Sequence, residues 1–244
     1  MEGKPRSGNI QDSIYVSLRK NIINLNLAPG TGISEKEVAL RYRVSRTPVR
    51  EAFIHLAKEG LVRVVPQKET LVSLIDLARV EQECFIRRSL EMAVLDPFIG
   101  KSTAEHLDTM ERLIEKQNAA AAAGDIINFV DRDDDFHRIF FEAADQLLSW
   151  DTLQSTSSHY RRVRLLTIRL KGIAGGVIGE HRELLESLKK KNAARARKLL
   201  MEHINKLNAE EDLLKKEFPP YFAAEDADVF NVVWNDGVHA QSPV

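Results

Sequence analysis

Residues 33–71 read ISEKEVALRYRVSRTPVREAFIHLAKEGLVRVVPQKETL, and the order of signals in this stretch decides the fold of the N-terminal third. Ser34 with Glu37 is a capping-box pattern that starts a helix running to about Tyr42, and Arg43-Val44 forms a turn. Ser45 stands at the cap of a second helix. Pro48 is tolerated in its first turn, where no intrahelical N–H bond is lost, and Gly60 stops it. Residues 61–65 and 70–74 have strand composition, with Pro66-Gln67-Lys68-Glu69 as the hairpin tip between them. Two short helices, a tight turn and a β-pair predict a winged helix-turn-helix, a shape that places its second helix in the DNA major groove.

At roughly 100° of rotation per residue, Val49, Ala52, Phe53 and Leu56 gather on one side of that second helix. Arg46, Thr47 and Arg50 fall on the other, near its N-terminal end. Base-contacting residues sit at that end of a recognition helix, where an arginine pairs bidentately with guanine and a threonine or helix amide holds a phosphate. The plainer alternative is a pair of solvated arginines; the surrounding helix, turn and wing favour DNA contact. Lys68 at the hairpin tip is the natural phosphate or minor-groove probe. Upstream, residues 12–27 read as an amphipathic helix whose Tyr15, Leu18, Ile22 and Leu25 pack against the reading helices, ended by Ala28-Pro29-Gly30.

The chain has 244 residues, enough for two domains of ordinary size, and 43% of them are hydrophobic. No stretch resembles a transmembrane span, and the N-terminal MEGKPRSGNIQDS lacks a signal-peptide core, so a cytoplasmic location is expected. The single cysteine, Cys84, excludes an internal disulfide framework and a cysteine-based zinc cluster, and reads as a packed small residue. Residues 1–75 hold 12 Lys+Arg against 7 Asp+Glu; out of totals of 35 and 36, that leaves 23 against 29 for the rest. A basic end on an acidic body suits DNA binding by one end.

From Asp76 onward the pattern is helical, with helices expected near 76–96, 103–123, 126–143, 147–171, 180–190 and 193–216. The breaks are Asp96-Pro97, Gly124-Asp125, a loop over Gly172 to Gly179 and Asn192. The glycines of GIAGGVIG do not form a phosphate loop, since no Gly-Lys-Ser/Thr follows. The expected fold is mainly α: a winged helix-turn-helix over 1–75, an all-α antiparallel bundle over 76–221 and a C-terminal tail over 222–244.

Within the bundle, Asp133 and His137 stand four apart in DRDDDFHRIF and share one helix face. His181 and His203 lie on two further helices. One carboxylate and three imidazoles can meet on a divalent cation in a bundle. Spacing alone leaves open that each histidine is a surface or satisfied core residue, and that Asp133 is part of a solvated acidic face.

The strings LNLAPGTGISEKEVA, VSRTPVREA and L-x-x-EGLV resemble the GntR family of bacterial transcription regulators. The resemblance implies that Arg46, Thr47 and Arg50 touch DNA and that Lys36 contacts phosphate; a glycine usual at the wing tip is Gln67 here. Asp-x-x-Phe-His, Glu-His-x-x-Leu-Leu and Met-x-His in turn resemble the FCD ligand-binding domain of FadR-type members. In that domain the matching Asp133, His137, His181 and His203 bind zinc, nickel or manganese and leave positions open for an effector carboxylate. Arg87, in an Arg-x-x-Leu-Glu string, matches a position that often faces the same pocket; a surface ion pair with Glu91 is the alternative. The family often has Ser-Gly-Asn after the metal helix, where Ala144-Asp145-Gln146 stands. In the basic run from His159, Arg164 is the residue best placed to contact an anion, against a solvated face.

Together these features predict a homodimeric repressor that binds a palindromic operator in double-stranded DNA and responds to a sugar acid, hydroxy acid or dicarboxylate. It is expected not to be an enzyme. A metal-dependent hydrolase fused to a DNA-binding head is the reading from another class, and neither an HExxH string nor a His-Asp dipeptide supports it. A third reading is a DNA-binding dimer whose histidines hold nothing.

Overall fold

Val49, Ala52, Phe53 and Leu56 recur on one face of helix α3 (Arg46–Lys58), and all four are buried. They pack against Ile14, Leu18 and Ile22 of α1 (Ser7–Ile23) and Val38 and Ala39 of α2 (Glu35–Tyr42). The computed structural model describes residues 7–65, 69–170, 172–206 and 211–223. The Ser34 side chain accepts from the Glu37 N–H, and Arg43 turns the chain in a left-handed conformation at φ 55°. Ser45 occupies the N-cap of α3 but makes no side-chain cap bond. Gly60 has φ +73°, the left-handed geometry that favours glycine after a helix.

The wing contains one strand more than its sequence suggests. β2 (Val62–Val64) and β3 (Thr70–Val72) form the expected antiparallel pair, but β1 (Gly32–Ile33) adds to the other edge of β3, giving the order β1-β3-β2. Two residues are too few to show an alternation. The hairpin tip at 66–68, with Lys68, lies outside the described residues. Helix α1 runs from Ser7 to Ile23 rather than over 12–27, because Leu25 adopts φ 60° and ends it early.

The bundle comprises α4 (Leu77–Lys101), α5 (Ala104–Ala122), α6 (Ile126–Ala143), α7 (Leu147–Thr156), α8 (Ser158–Arg169), α9 (Ile173–Lys189), α10 (Ala193–Asn205) and α11 (Glu211–Glu217). Three boundaries differ from the sequence reading. The expected break at Asp96-Pro97 is absent: α4 continues through Pro97. The fully buried Leu95 and Phe98 flank the proline, so packing outweighs the one backbone bond it forgoes. The expected loop from Gly172 to Gly179 is the first two turns of α9. Ile178 is buried, and Ala174 and Val177 pack on the same core, which offsets the glycines' poor propensity. The long helix expected over 147–171 divides at Ser157, whose hydroxyl donates to the Leu153 carbonyl.

Cys84 is buried as expected, in a small cluster with Ile75, Tyr160, Val163, Leu214 and Phe222. Ile75 and Phe222 form an isolated parallel bridge, so the residue joining the two units pairs with the last described part of the chain. The tail from 224 onward lies outside the described residues. No described helix is long and apolar enough to cross a membrane.

Candidate functional site

Helix α6 buries Phe129, Val130, Phe136, Phe140 and Phe141, and this apolar face carries Asp133 and His137 into the interior with it. His181 arrives on α9 and His203 on α10. One ligating atom from each of Asp133, His137, His181 and His203 lies within 4.8 Å of all the others. Asp133, His137 and His181 are buried, so Asp133 does not belong to a solvated acidic face. Phe136 stacks on the His181 ring, with centroids 4.2 Å apart.

Each imidazole is oriented from behind. His137 Nδ1 donates to Glu91 Oε2 (2.6 Å), His181 Nδ1 to Gln117 Oε1 (2.8 Å) and His203 Nδ1 to Glu180 Oε2 (2.9 Å). An acceptor at Nδ1 places the ring proton there and turns the Nε2 lone pair toward the centre. His137 and His203 Nε2 stand 3.2 Å apart, and His181 Nε2 is 3.6 Å from Asp133 Oδ1. The buried His181 Nε2 has no hydrogen-bond partner. A lone pair left bare in the interior fits a divalent cation bound by imidazole and carboxylate. Glu91, Gln117 and Glu180 were missed in the sequence: Glu91 reads as a partner of Arg87, Glu180 as part of a string, and Gln117 carries no signal.

Burial opposes protonation of His137 and His181 and lowers the pKa of both, in each case despite the neighbouring Asp133 carboxylate. Burial alone would raise Glu91, but His137, which hydrogen-bonds to it, and the Arg87 guanidinium hold it down to about 2. Burial would likewise raise Asp133, and Arg164 with the histidines lowers it. Burial thus favours neutral rings at His137 and His181 while Asp133 stays ionised, the forms in which they bind a cation.

Arg87 and Arg164 are both buried, so neither lies on a solvated face. Arg87 Nε donates to Glu91 Oε1 (2.6 Å) and its Nη1 faces Asp134 Oδ1 (3.4 Å). The ion pair with Glu91 weighed from the sequence exists, but inside the bundle. Arg164 donates to Asp133 and to Asp134 Oδ1 (2.6 Å). A cavity of about 50 Å³ opens beside the cluster, lined by Asp133, His203 and Arg164. Arg87 does not line it, since Glu91 and Asp134 hold its guanidinium behind the cluster.

In the N-terminal unit Lys36, Ser45, Arg46, Thr47 and Arg50 are all exposed. Arg50 Nε and Nη2 donate to the two oxygens of Glu35, at 2.9 and 3.0 Å. The two units meet along α8. Arg161 joins Asn24 to Asp131 and Asp134, Arg162 Nη1 donates to the Ser73 carbonyl (2.7 Å), and the Asp76 N–H donates to His159 Nδ1 (3.1 Å).

Comparison with known proteins agrees with this anatomy. Residues 10–72 match the bacterial regulatory proteins of the gntR family, and residues 84–206 match the FCD domain. The chain belongs to the GntR family of DNA-binding transcriptional regulators, in the group that carries an FCD domain. The HTH-type transcriptional repressor RspR of Escherichia coli (strain K12) is 31% identical over 216 residues, covering 88% of this chain and 95% of that protein. A regulator encoded in an unstable DNA locus of Streptomyces ambofaciens is 30% identical over 216 residues, covering 88% and 91%. Among solved structures, E. coli McbR/YncC superposes with a TM-score of 0.69 at 19% identity, covering 86% of this chain and 98% of that one. At that identity the likeness shows the fold alone.

Proposed function

We propose that this regulator is a metabolite-responsive repressor that binds a palindromic operator as a homodimer and senses a small carboxylate through a metal held in its helical bundle. The N-terminal domain, residues 1–75, reads DNA through Arg46, Thr47 and Arg50, with Ser45, Lys36 and Lys68 on the phosphate backbone. The bundle, residues 76–221, holds the ion on Asp133, His137, His181 and His203. Zinc, nickel and manganese all suit this donor set. The ion supplies a Lewis-acidic point to which a carboxylate binds, and Arg164 faces the same cavity with a guanidinium suited to an anion. Arg87 holds Glu91 and, through it, His137 in place.

The observation that carries this reading is the orientation of the three imidazoles, each anchored at Nδ1, around the bare Nε2 of His181. Elemental analysis of untagged full-length protein tests it. About one divalent ion per chain is expected, lost in the His137→Ala/His203→Ala double variant. Absence of metal as purified, with no uptake when zinc, nickel or manganese is supplied, would leave a DNA-binding dimer whose signal enters elsewhere.

A further inference from the structure

Thr167 lies inside α8, 5% exposed, and its hydroxyl is buried without a hydrogen-bond partner. A threonine inside a helix ordinarily returns its hydroxyl to the carbonyl four residues back. Three threonines of this chain do so: Thr109 to Glu105 O (2.8 Å), Thr152 to Leu148 O (2.8 Å) and Thr156 to Thr152 O (3.2 Å). Thr167 departs from that pattern while lining the cavity beside Asp133 and His203. It follows Arg164 by three residues, so both project from one helix face. Among the described lining residues it alone has a buried polar atom left unpaired. An unpaired buried hydroxyl costs about 1–3 kcal/mol, which a ligand oxygen at this position would recover.

We propose that Thr167 is a specificity residue of this cavity and that its ligand is a short hydroxy monocarboxylate whose hydroxyl pairs with Thr167 Oγ1. This rests on the carboxylate-sensing reading above and narrows it. Size favours a short ligand: the cavity, at about 50 Å³, is far smaller than ordinary small-molecule pockets, which suits a short acid better than a sugar acid. Charge limits it as well. Arg164 is committed to Asp133 and Asp134, and Lys206 Nζ to Glu180 Oε1 (2.5 Å). Beyond Arg164, which serves the first carboxylate, the described wall therefore has no uncommitted cation for a second. Phe129, Ile173 and Val177 also line the cavity and supply apolar surface suited to a short carbon skeleton.

Calorimetric titration of the zinc-loaded full-length protein decides the question, using glycolate against acetate, lactate against propionate, and succinate. Wild type, Thr167→Val and Thr167→Ser are compared, with zinc content measured in each. In wild type and Thr167→Ser the hydroxy acid of at least one pair is expected to bind about tenfold tighter than its deoxy partner. In Thr167→Val that ratio falls toward one, while zinc content and affinity for the deoxy acid stay unchanged. A ratio of one in wild type, a ratio that survives Thr167→Val, or a preference for succinate overturns the proposal while leaving carboxylate sensing intact. If none of the acids binds zinc-loaded protein, this proposal falls, and carboxylate sensing falls with it only when a sugar acid such as gluconate also fails to bind.

Discussion

Arg161 on α8 donates its Nε–H to Asn24 Oδ1, just beyond the end of α1, at 3.0 Å. Its other nitrogens hold Asp134 Oδ2 (3.0 Å) and Asp131 Oδ1 (2.6 Å) on α6. Asp134 is shared with Arg164, and Arg164 in turn holds Asp133. Four charge-assisted contacts thus join the candidate metal ligand to the N-terminal domain. A change in Asp133 has a direct route to the DNA-reading head, and a coupling of about 1–3 kcal/mol is ordinary for such a link.

Arg161→Met should retain metal content and operator binding but lose communication between them. Hydrogen exchange at residues 21–27 is expected to respond to added zinc in wild type and not in the variant. An equal response in both would show that the signal crosses the joint by another route.

Arg50→Ala should abolish discrimination between operator and random DNA. Loss of a bidentate base contact costs about 1–3 kcal/mol. The Arg50–Glu35 pair is exposed, so unfolding by urea should change little. Competition binding against random duplex measures the first effect, and unchanged specificity would remove Arg50 from the reading surface.

Glu91→Gln should weaken zinc binding about 10–100-fold, because outer partners of histidine ligands set ring orientation and basicity. Titration against a chromophoric chelator reads the affinity. Undiminished affinity would show that His137 is oriented by packing alone.

Stability should fall on mild acidification of the metal-free protein. Burial, reinforced by the Arg162 and Arg79 charges, pushes His159 down to about 2 from an ordinary 6.5. Below pH 6.5 the unfolded chain takes up a proton that the folded chain refuses. The contribution is therefore whole above that pH and is lost progressively as the pH falls toward 2. Each such histidine contributes a slope of about 1.4 kcal/mol per pH unit; His137 and His181, also lowered by burial, add to it. Urea unfolding between pH 7 and 5 should show a shallower dependence in His159→Asn, whose side-chain oxygen can still accept from the Asp76 N–H. An unchanged slope would assign the effect elsewhere.

Much of this was legible in the chain. The capping pair Ser34 and Glu37, the apolar face of α3 and Gly60 after it are local signals, each read within one or two turns. Asp133 and His137 are legible as a pair because a four-residue spacing fixes a shared face. Pro97 and the glycines of α9 misled for the same reason: local propensity marked breaks that packing around Leu95, Phe98 and Ile178 overrode.

The sequence by itself determined the order of elements, the basic reading helix and the residue types able to hold a cation. Tertiary structure decided which of them meet. His181 and His203 approach Asp133 only because α9 docks on α5, which itself packs on α6, and α10 docks on α9 and α4. Arg87 and Arg164 are buried only because three carboxylates, Glu91, Asp133 and Asp134, gather around them. Gln117 behind His181 and Arg161 between the domains had no sequence signal, since their partners lie 64 and 137 residues away in the chain. Periodicity reports the face a residue occupies on its own helix, whereas the identity of the facing side chain depends on how whole helices dock.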